Sequence, residues 1–328
     1  MPTPRLLLLS LLALPTITTA AEEKTILSCA DVLCPIGPPG TNSAECTLLS
    51  TTYTGIGAAA VPSRPDLSWT QAIAASDTFD LDNPDTRTRT FIKDFFLGSS
   101  SDGAAVSGGG ACALFFTEVT EAANWEPVPN HTVSQGTCAE AMSEACVAAM
   151  VERARGVDVA GLGVGEACEK VRREFESGGG GGACAEFGGE GGWKGVVARV
   201  ISGEGAPEAI SAAQNASSNC WPVQPKSRDL TLVAKFNSTG GFTATELFDE
   251  LFMTMPILTV FLPTGNTSGE GEVRSEAQLT CLKPVDETTA TEASKSDGRQ
   301  NLAGALEPRS AMGFLVALGV VGVLGIFC

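Results

Sequence analysis

Ten cysteines spread between Cys29 and Cys281 constrain this chain more than any other feature. They are Cys29, Cys34, Cys46, Cys112, Cys138, Cys146, Cys168, Cys184, Cys220 and Cys281. An eleventh, Cys328, stands apart in an apolar run. An even number of cysteines in an oxidising compartment implies a disulfide framework, and one of this span forces distant segments together. Connectivity stays open. Cys29–Cys34 or Cys34–Cys46 would make a local N-terminal staple, and Cys281 is placed to tie the end of the domain back to its body. There is no C-x-x-C pair and the single histidine is His131, so no metal site is expected.

A disulfide framework requires export, and the N-terminal segment supplies a signal for it. Arg5 precedes the apolar run Leu6 to Leu14, and Thr18-Thr19-Ala20-Ala21 offers small residues for cleavage. That is the pattern of a secretory signal peptide, expected to occupy residues 1–21. Ala311 to Cys328 carries no charge. Before it lie a polar spacer, Arg299 to Ser310, and the small-residue patch Ser296-Asp297-Gly298. Small residues, spacer and apolar tail form the signal for a glycosylphosphatidylinositol (GPI) anchor, in which the tail is removed. Attachment is expected at Ser296, with Gly298 and Asn301 as alternatives, and residues 297–328 as the discarded propeptide. Loss of Cys328 with the tail leaves the even count. Eighteen apolar residues are also just long enough to span a bilayer, but the run lacks the basic flank that orients a spanning helix.

Four sequons, at Asn130, Asn215, Asn237 and Asn266, would accept glycans in the secretory pathway. The formal net charge of −17 repels nucleic acid and anionic headgroups, so no nucleic-acid partner is expected.

The expected fold is α+β: a disulfide-rich secreted domain over residues 22–285, with several helices and a small antiparallel sheet. It begins with a Cys- and Pro-rich segment, 22–62, and contains a glycine-rich loop, 178–192. A Ser/Thr stalk, 286–296, follows. Helical spacing predicts a helix from Asp66 through Ala74 and another over Thr86 to Leu97. Helices are also expected over Cys138 to Arg155, Gly165 to Ser177 and Thr243 to Met253. Short apolar runs at Ala111 to Val119, Asp229 to Phe236, Pro256 to Leu262 and Glu276 to Leu282 predict strands. Trp193 to Ile201 fits either strand or helix. A bridge from Cys146 or Cys168 is expected to join the two central helices, or to pin the glycine-rich loop through Cys184.

Few residues suggest chemistry. His131 lies inside a sequon, between prolines and Thr132, which suits a solvent-facing residue better than a catalytic base. Glu118 and Glu121 follow a strand, with Trp125 near, so they are the carboxylate pair to test for glycoside chemistry. Trp69, Trp125, Trp193, Trp221 and Tyr53 are the aromatics that could stack on a sugar. Gly161-Leu162-Gly163-Val164-Gly165 departs from the dinucleotide fingerprint and follows a helix, so a turn between helices is expected and no cofactor.

The signal, the Ser296-Asp297-Gly298 patch with its tail, the sequons and the cysteine-rich body together resemble fungal GPI-anchored cell-surface and cell-wall glycoproteins. The cysteines are too dispersed for the compact fungal eight-cysteine module. The resemblance implies a non-catalytic surface protein serving wall structure, adhesion or contact with a host or neighbour. Its partners would be the outer membrane leaflet, through the anchor, and wall polysaccharide or surface proteins. The alternatives are a tethered carbohydrate-active enzyme that remodels wall polysaccharide, and an extracellular ligand- or metal-binding protein.

Overall fold

The structure is a computed structural model describing residues 25–35, 45–79, 87–99, 110–125, 133–178, 181–188, 192–223, 226, 228–240, 244–263 and 274–285. Among these residues the fold is mixed α+β and dominated by strands. The strands are β1 (Cys46–Leu48), β2 (Thr51–Tyr53), β3 (Gly55–Val61), β4 (Arg64–Phe79), β5 (Arg87–Ser99), β6 (Ala111–Phe116), β7 (Val196–Ser202), β8 (Asp229–Gly240), β9 (Met255–Phe261) and β10 (Glu276–Leu282). The helices are α1 (Cys138–Met142), α2 (Glu144–Arg155), α3 (Val164–Glu176), α4 (Ala185–Gly188) and α5 (Ala244–Phe252).

Two four-stranded antiparallel sheets, ordered β3-β4-β5-β8 and β10-β9-β6-β7, stack face to face, and β1-β2 forms a separate hairpin. The sheet is thus larger than the sequence suggested. Trp69, Phe95, Phe115, Leu97, Ile257 and Leu282 meet between the sheets. Phe115 packs edge-on to Trp69 at 5.6 Å between centroids, and lies 5.0 Å from Phe95. The Trp69 indole Nε1 donates across this layer to Thr259 Oγ1 at 2.9 Å, satisfying both buried polar groups.

Each sheet has a second face, and the two covers differ. Alternate residues of β6 (Cys112, Leu114, Phe116) point away from the sandwich and pack under the helices, against Met142, Met150, Val171 and Phe175. The outer face of β3-β4-β5-β8 is covered by the N-terminal segment and the hairpin: Val32, Leu48, Tyr53 and Val223 pack on Ala72, Phe96 and Leu230.

This double burial explains two corrections. The helices expected at 66–74 and 86–97 are the long strands β4 and β5. Leu67 and Trp69 face the sandwich and Ile73, on the same face, packs under α5, while Ser68, Thr70 and Ala72 face the N-terminal cover; all six are buried. A strand buried on both faces loses the apolar–polar alternation that marks a half-buried strand, and its apolar residues then also match helical spacing.

Elsewhere the expectations agree with the elements observed. β6, β8, β9 and β10 occupy the predicted strand runs, and Trp193 to Ile201 resolves into β7. Helices α3 and α5 also lie where predicted. The expected helix from Cys138 is interrupted at Ser143, which adopts φ 67° and accepts a hydrogen bond from the Cys146 N–H at 3.3 Å to start α2. The described part of the glycine-rich stretch holds a 3-10 turn, Gly182–Cys184, and α4. Gly57 has a packing reason to be glycine, since a Cβ there would stand 1.8 Å from the Lys283 carbonyl oxygen.

Candidate functional site

The sulfur atoms organise the molecule. Cys138–Cys281 joins α1 to β10, with Cα atoms 5.2 Å apart, so Cys281 does tie the end of the domain to its body. Cys146–Cys184 joins α2 to the glycine-rich segment at a Cα separation of 4.8 Å and pins that segment as its composition requires. Cys46–Cys220 joins the hairpin to a segment 174 residues later. Cys112 and Cys168, both buried, lie side by side between β6 and α3. A hydrogen bond with Cys168, reinforced by burial, pushes the Cys112 thiol well above the usual thiol range.

The remaining sulfurs gather near the hairpin. The Cys29 and Cys34 thiols are hydrogen-bonded, and the Cys34 N–H donates to the Cys29 carbonyl at 2.9 Å. Sulfurs of Cys34, Cys46 and Cys220 all lie within 4.8 Å of one another. Three sulfurs at such spacing are a possible soft-metal set. With Cys46 and Cys220 bonded to each other, however, two of the three have no thiolate to offer an ion.

The carboxylate pair stands on open surface. Glu118 and Glu121 are both exposed, on the turn that follows β6. The turn is stitched to the glycine-rich segment and to the residues after it: Thr120 Oγ1 donates to the Glu186 carbonyl and Thr117 Oγ1 to the Gly195 carbonyl, each at 2.7 Å. Neither glutamate lines the polar groove between α2 and α3, where Arg153 pairs with Glu174 at 3.6 Å and Lys170 donates to the Asp158 carbonyl.

The sugar-stacking candidates are engaged inside the fold. Trp69, Trp193 and Tyr53 are fully buried. Half-buried Trp125 donates to the Thr137 carbonyl at 2.9 Å, and the Lys283 ammonium sits 5.2 Å from its ring centroid. Half-buried Trp221 donates to the Arg228 carbonyl at 2.9 Å. The Gly161 to Gly165 run is the turn between α2 and α3 and the first residues of α3, as its composition indicated.

Of the sequons, Asn237 is exposed on β8, and Asn215 is half-buried in the 3-10 turn Gln214–Ser217. Asn130, Asn266, His131, the signal segment, the stalk, Ser296, Gly298, Asn301 and the apolar tail lie outside the described residues. No helix among the described residues is long and apolar enough to cross a membrane.

Sequence reasoning missed the buried polar network of the outer sheet. The Tyr53 hydroxyl donates to Asp94 Oδ2 at 2.5 Å, and Lys235 pairs with the same oxygen at 3.3 Å. Asp94 is 1% exposed. Beside it, but facing the sandwich, Lys93 pairs with Glu250 of α5 at 2.7 Å. Burial first, then Asp94, hold the Tyr53 phenol far above its ordinary value. The signal was present in Phe91-Ile92-Lys93-Asp94-Phe95-Phe96, where two charges interrupt an apolar run.

Comparison of the chain with protein families, curated proteins and solved structures finds no match.

Proposed function

We propose that this chain is an extracellular surface glycoprotein that acts as a crosslinked scaffold rather than an enzyme, anchored through GPI at Ser296. The observation that carries the reading is the pairing of cysteines within the two-sheet body: three pairs at disulfide distance, with Cys112 beside Cys168 as a fourth in contact. Paired cysteines suit an oxidising compartment. Exposed Asn237 is open to glycan transfer, and the apolar run 311–328 behind its small-residue patch suits exchange for a lipid. The non-catalytic part rests on Glu118 and Glu121, which face solvent, and on the indoles and phenol, which serve the fold.

Treating intact cells with phosphatidylinositol-specific phospholipase C tests the anchor. The expected result is release of a glycosylated chain that ends near Ser296. Recovery of mature protein still carrying Gly313 to Cys328 overturns it. The released protein is then offered β-glucan and chitin oligomers. No turnover is expected, and cleavage that disappears in Glu118→Gln or Glu121→Gln overturns the scaffold reading in favour of an enzyme.

A further inference from the structure

The Cys46–Cys220 crosslink does not stand alone. Cys34 lies within 4.8 Å of both bonded sulfurs, and Cys29 is hydrogen-bonded to Cys34. The four sulfurs also form a gradient of access. Cys29 is half-buried, Cys34 and Cys220 are 8% and 6% exposed, and Cys46 is fully buried. The backbone holds Cys29 and Cys34 together through the Cys34 N–H to Cys29 carbonyl bond. Ser28 N–H and Oγ both donate to Asp31 Oδ2, at 2.8 and 2.9 Å, fixing the turn that carries them. Leu27 in turn pairs with Ala58 of β3, so the turn is fixed relative to the sheet.

We propose that Cys29, Cys34, Cys46 and Cys220 form a thiol–disulfide relay that opens and closes the Cys46–Cys220 crosslink from the surface. The relay extends beyond the scaffold reading and does not depend on how the protein is anchored. In the structure Cys29 and Cys34 are hydrogen-bonded thiols, the reduced pair from which exchange starts. The Cys34 thiolate then attacks one sulfur of the Cys46–Cys220 bridge. A Cys34 mixed disulfide forms, and the other bridge sulfur leaves as a thiolate. Cys29 attacks Cys34 in that mixed disulfide, forming a Cys29–Cys34 disulfide and expelling the second thiolate. Protons lost by Cys34 and Cys29 are taken up by Cys46 and Cys220. An external dithiol then reduces Cys29–Cys34 at the accessible end, becoming a disulfide as it gives up two electrons and two protons, so two electrons have passed from outside to a crosslink that solvent scarcely reaches. Exchange proceeds through the thiolate. The Cys34 thiol is held below the usual thiol range first by the hydrogen bond from Cys29 and, against the opposing effect of burial, by the charge of Lys226.

The test follows the purified native protein after addition of limiting dithiothreitol. Samples are quenched in acid, alkylated and mapped by mass spectrometry. In the wild-type chain, label is expected on Cys29 and Cys34 already before dithiothreitol is added. Peptides joined through Cys34–Cys46 or Cys34–Cys220 follow, and label on Cys46 and Cys220 comes last. In Cys34→Ser the Cys46–Cys220 bridge opens more slowly, by roughly ten-fold or more, since only direct attack by the external thiol remains. In Cys29→Ser the Cys34 mixed disulfide accumulates. An equal opening rate in Cys34→Ser overturns the relay. So does a wild-type time course that never yields a Cys34-linked peptide, or a bridge that resists the dithiol altogether. The wild-type course decides the question by itself if either variant fails to fold.

Discussion

The two outer faces of the sandwich are covered in opposite ways. On one side the helices lay a thick aromatic layer over the sheet: Phe116 meets Trp193 at 4.9 Å and Phe175 at 5.4 Å, all three buried. On the other side the cover is a turn, a short hairpin and the segment around Cys220, with Tyr53 packed edge-on to Phe96 at 6.2 Å. Helices present continuous apolar faces and satisfy their own backbone groups, so there the crosslinks Cys138–Cys281 and Cys146–Cys184 reinforce an already packed layer. An irregular cover cannot do both. It depends on a long-range crosslink, on Tyr53 and Asp94, and on bonds such as Thr70 Oγ1 to the Pro222 carbonyl at 2.6 Å. Both covers are crosslinked to the body; the helical one adds a thick apolar layer, and the irregular one adds polar ties.

Substitutions within one cover should therefore loosen that side first. The largest effect is expected from Phe116→Ala, which empties the centre of the helical cover at a cost of about 3–5 kcal/mol. Hydrogen exchange should rise across α1, α2 and α3 before it rises in β1 and β2. Equal loosening of both sides would mean that the covers are not separable. Next comes the double substitution Cys46→Ala and Cys220→Ala. Removing a crosslink of this span should cost about 2–5 kcal/mol, with lost protection confined first to residues 45–61 and 210–223. If the helical side loosens instead, the assignment of the crosslink to the N-terminal cover fails.

The smallest effect should come from Tyr53→Phe, at about 1–3 kcal/mol, because Asp94 loses a buried donor. Its pH dependence sharpens the comparison. The folded chain keeps the phenol protonated, whereas the unfolded chain ionises it near pH 10. The Tyr53 contribution is therefore complete below that pH and falls as pH rises beyond it. Denaturant titrations should show wild-type stability declining more steeply than that of Tyr53→Phe between about pH 9 and pH 11. Parallel curves would remove Tyr53 from the account.

The same asymmetry decided what could be read from the sequence. Helix α3 was legible because one face is apolar (Ala167, Cys168, Val171, Phe175) and the other charged. β6 was legible as a short run bounded by glycines and polar residues. β4 and β5 were not, because both faces are buried and local spacing carries no trace of which neighbours cover them. The short strands β1 to β3 sit in a stretch whose turn-forming residues dominate its composition. Cysteine identity was legible, but partnership was not: Cys46 meets Cys220 across a sequence separation of 174 residues. The Tyr53–Asp94 contact spans 41 residues and likewise exists only in the folded sheet. Glu118 and Glu121 were legible as acids after a strand, but whether a turn aims its side chains into a cleft or at solvent depends on contacts such as those of Thr117 and Thr120.

The Cys138–Cys281 bond also sets how the body bears mechanical load. β10 is an edge strand, held along seven residue pairs to β9, and the chain leaves it through Val285, whose N–H donates to the Ile56 carbonyl at 3.3 Å. Tension applied beyond Val285 would peel an ordinary edge strand one hydrogen bond at a time. Here the peel can release only Leu282 to Val285, a slack of roughly 14 Å at full extension. It then meets a covalent stop at Cys281, which passes the force into α1. The pull is then shared between β10 and α1, so the edge can open further only if α1 is displaced with it.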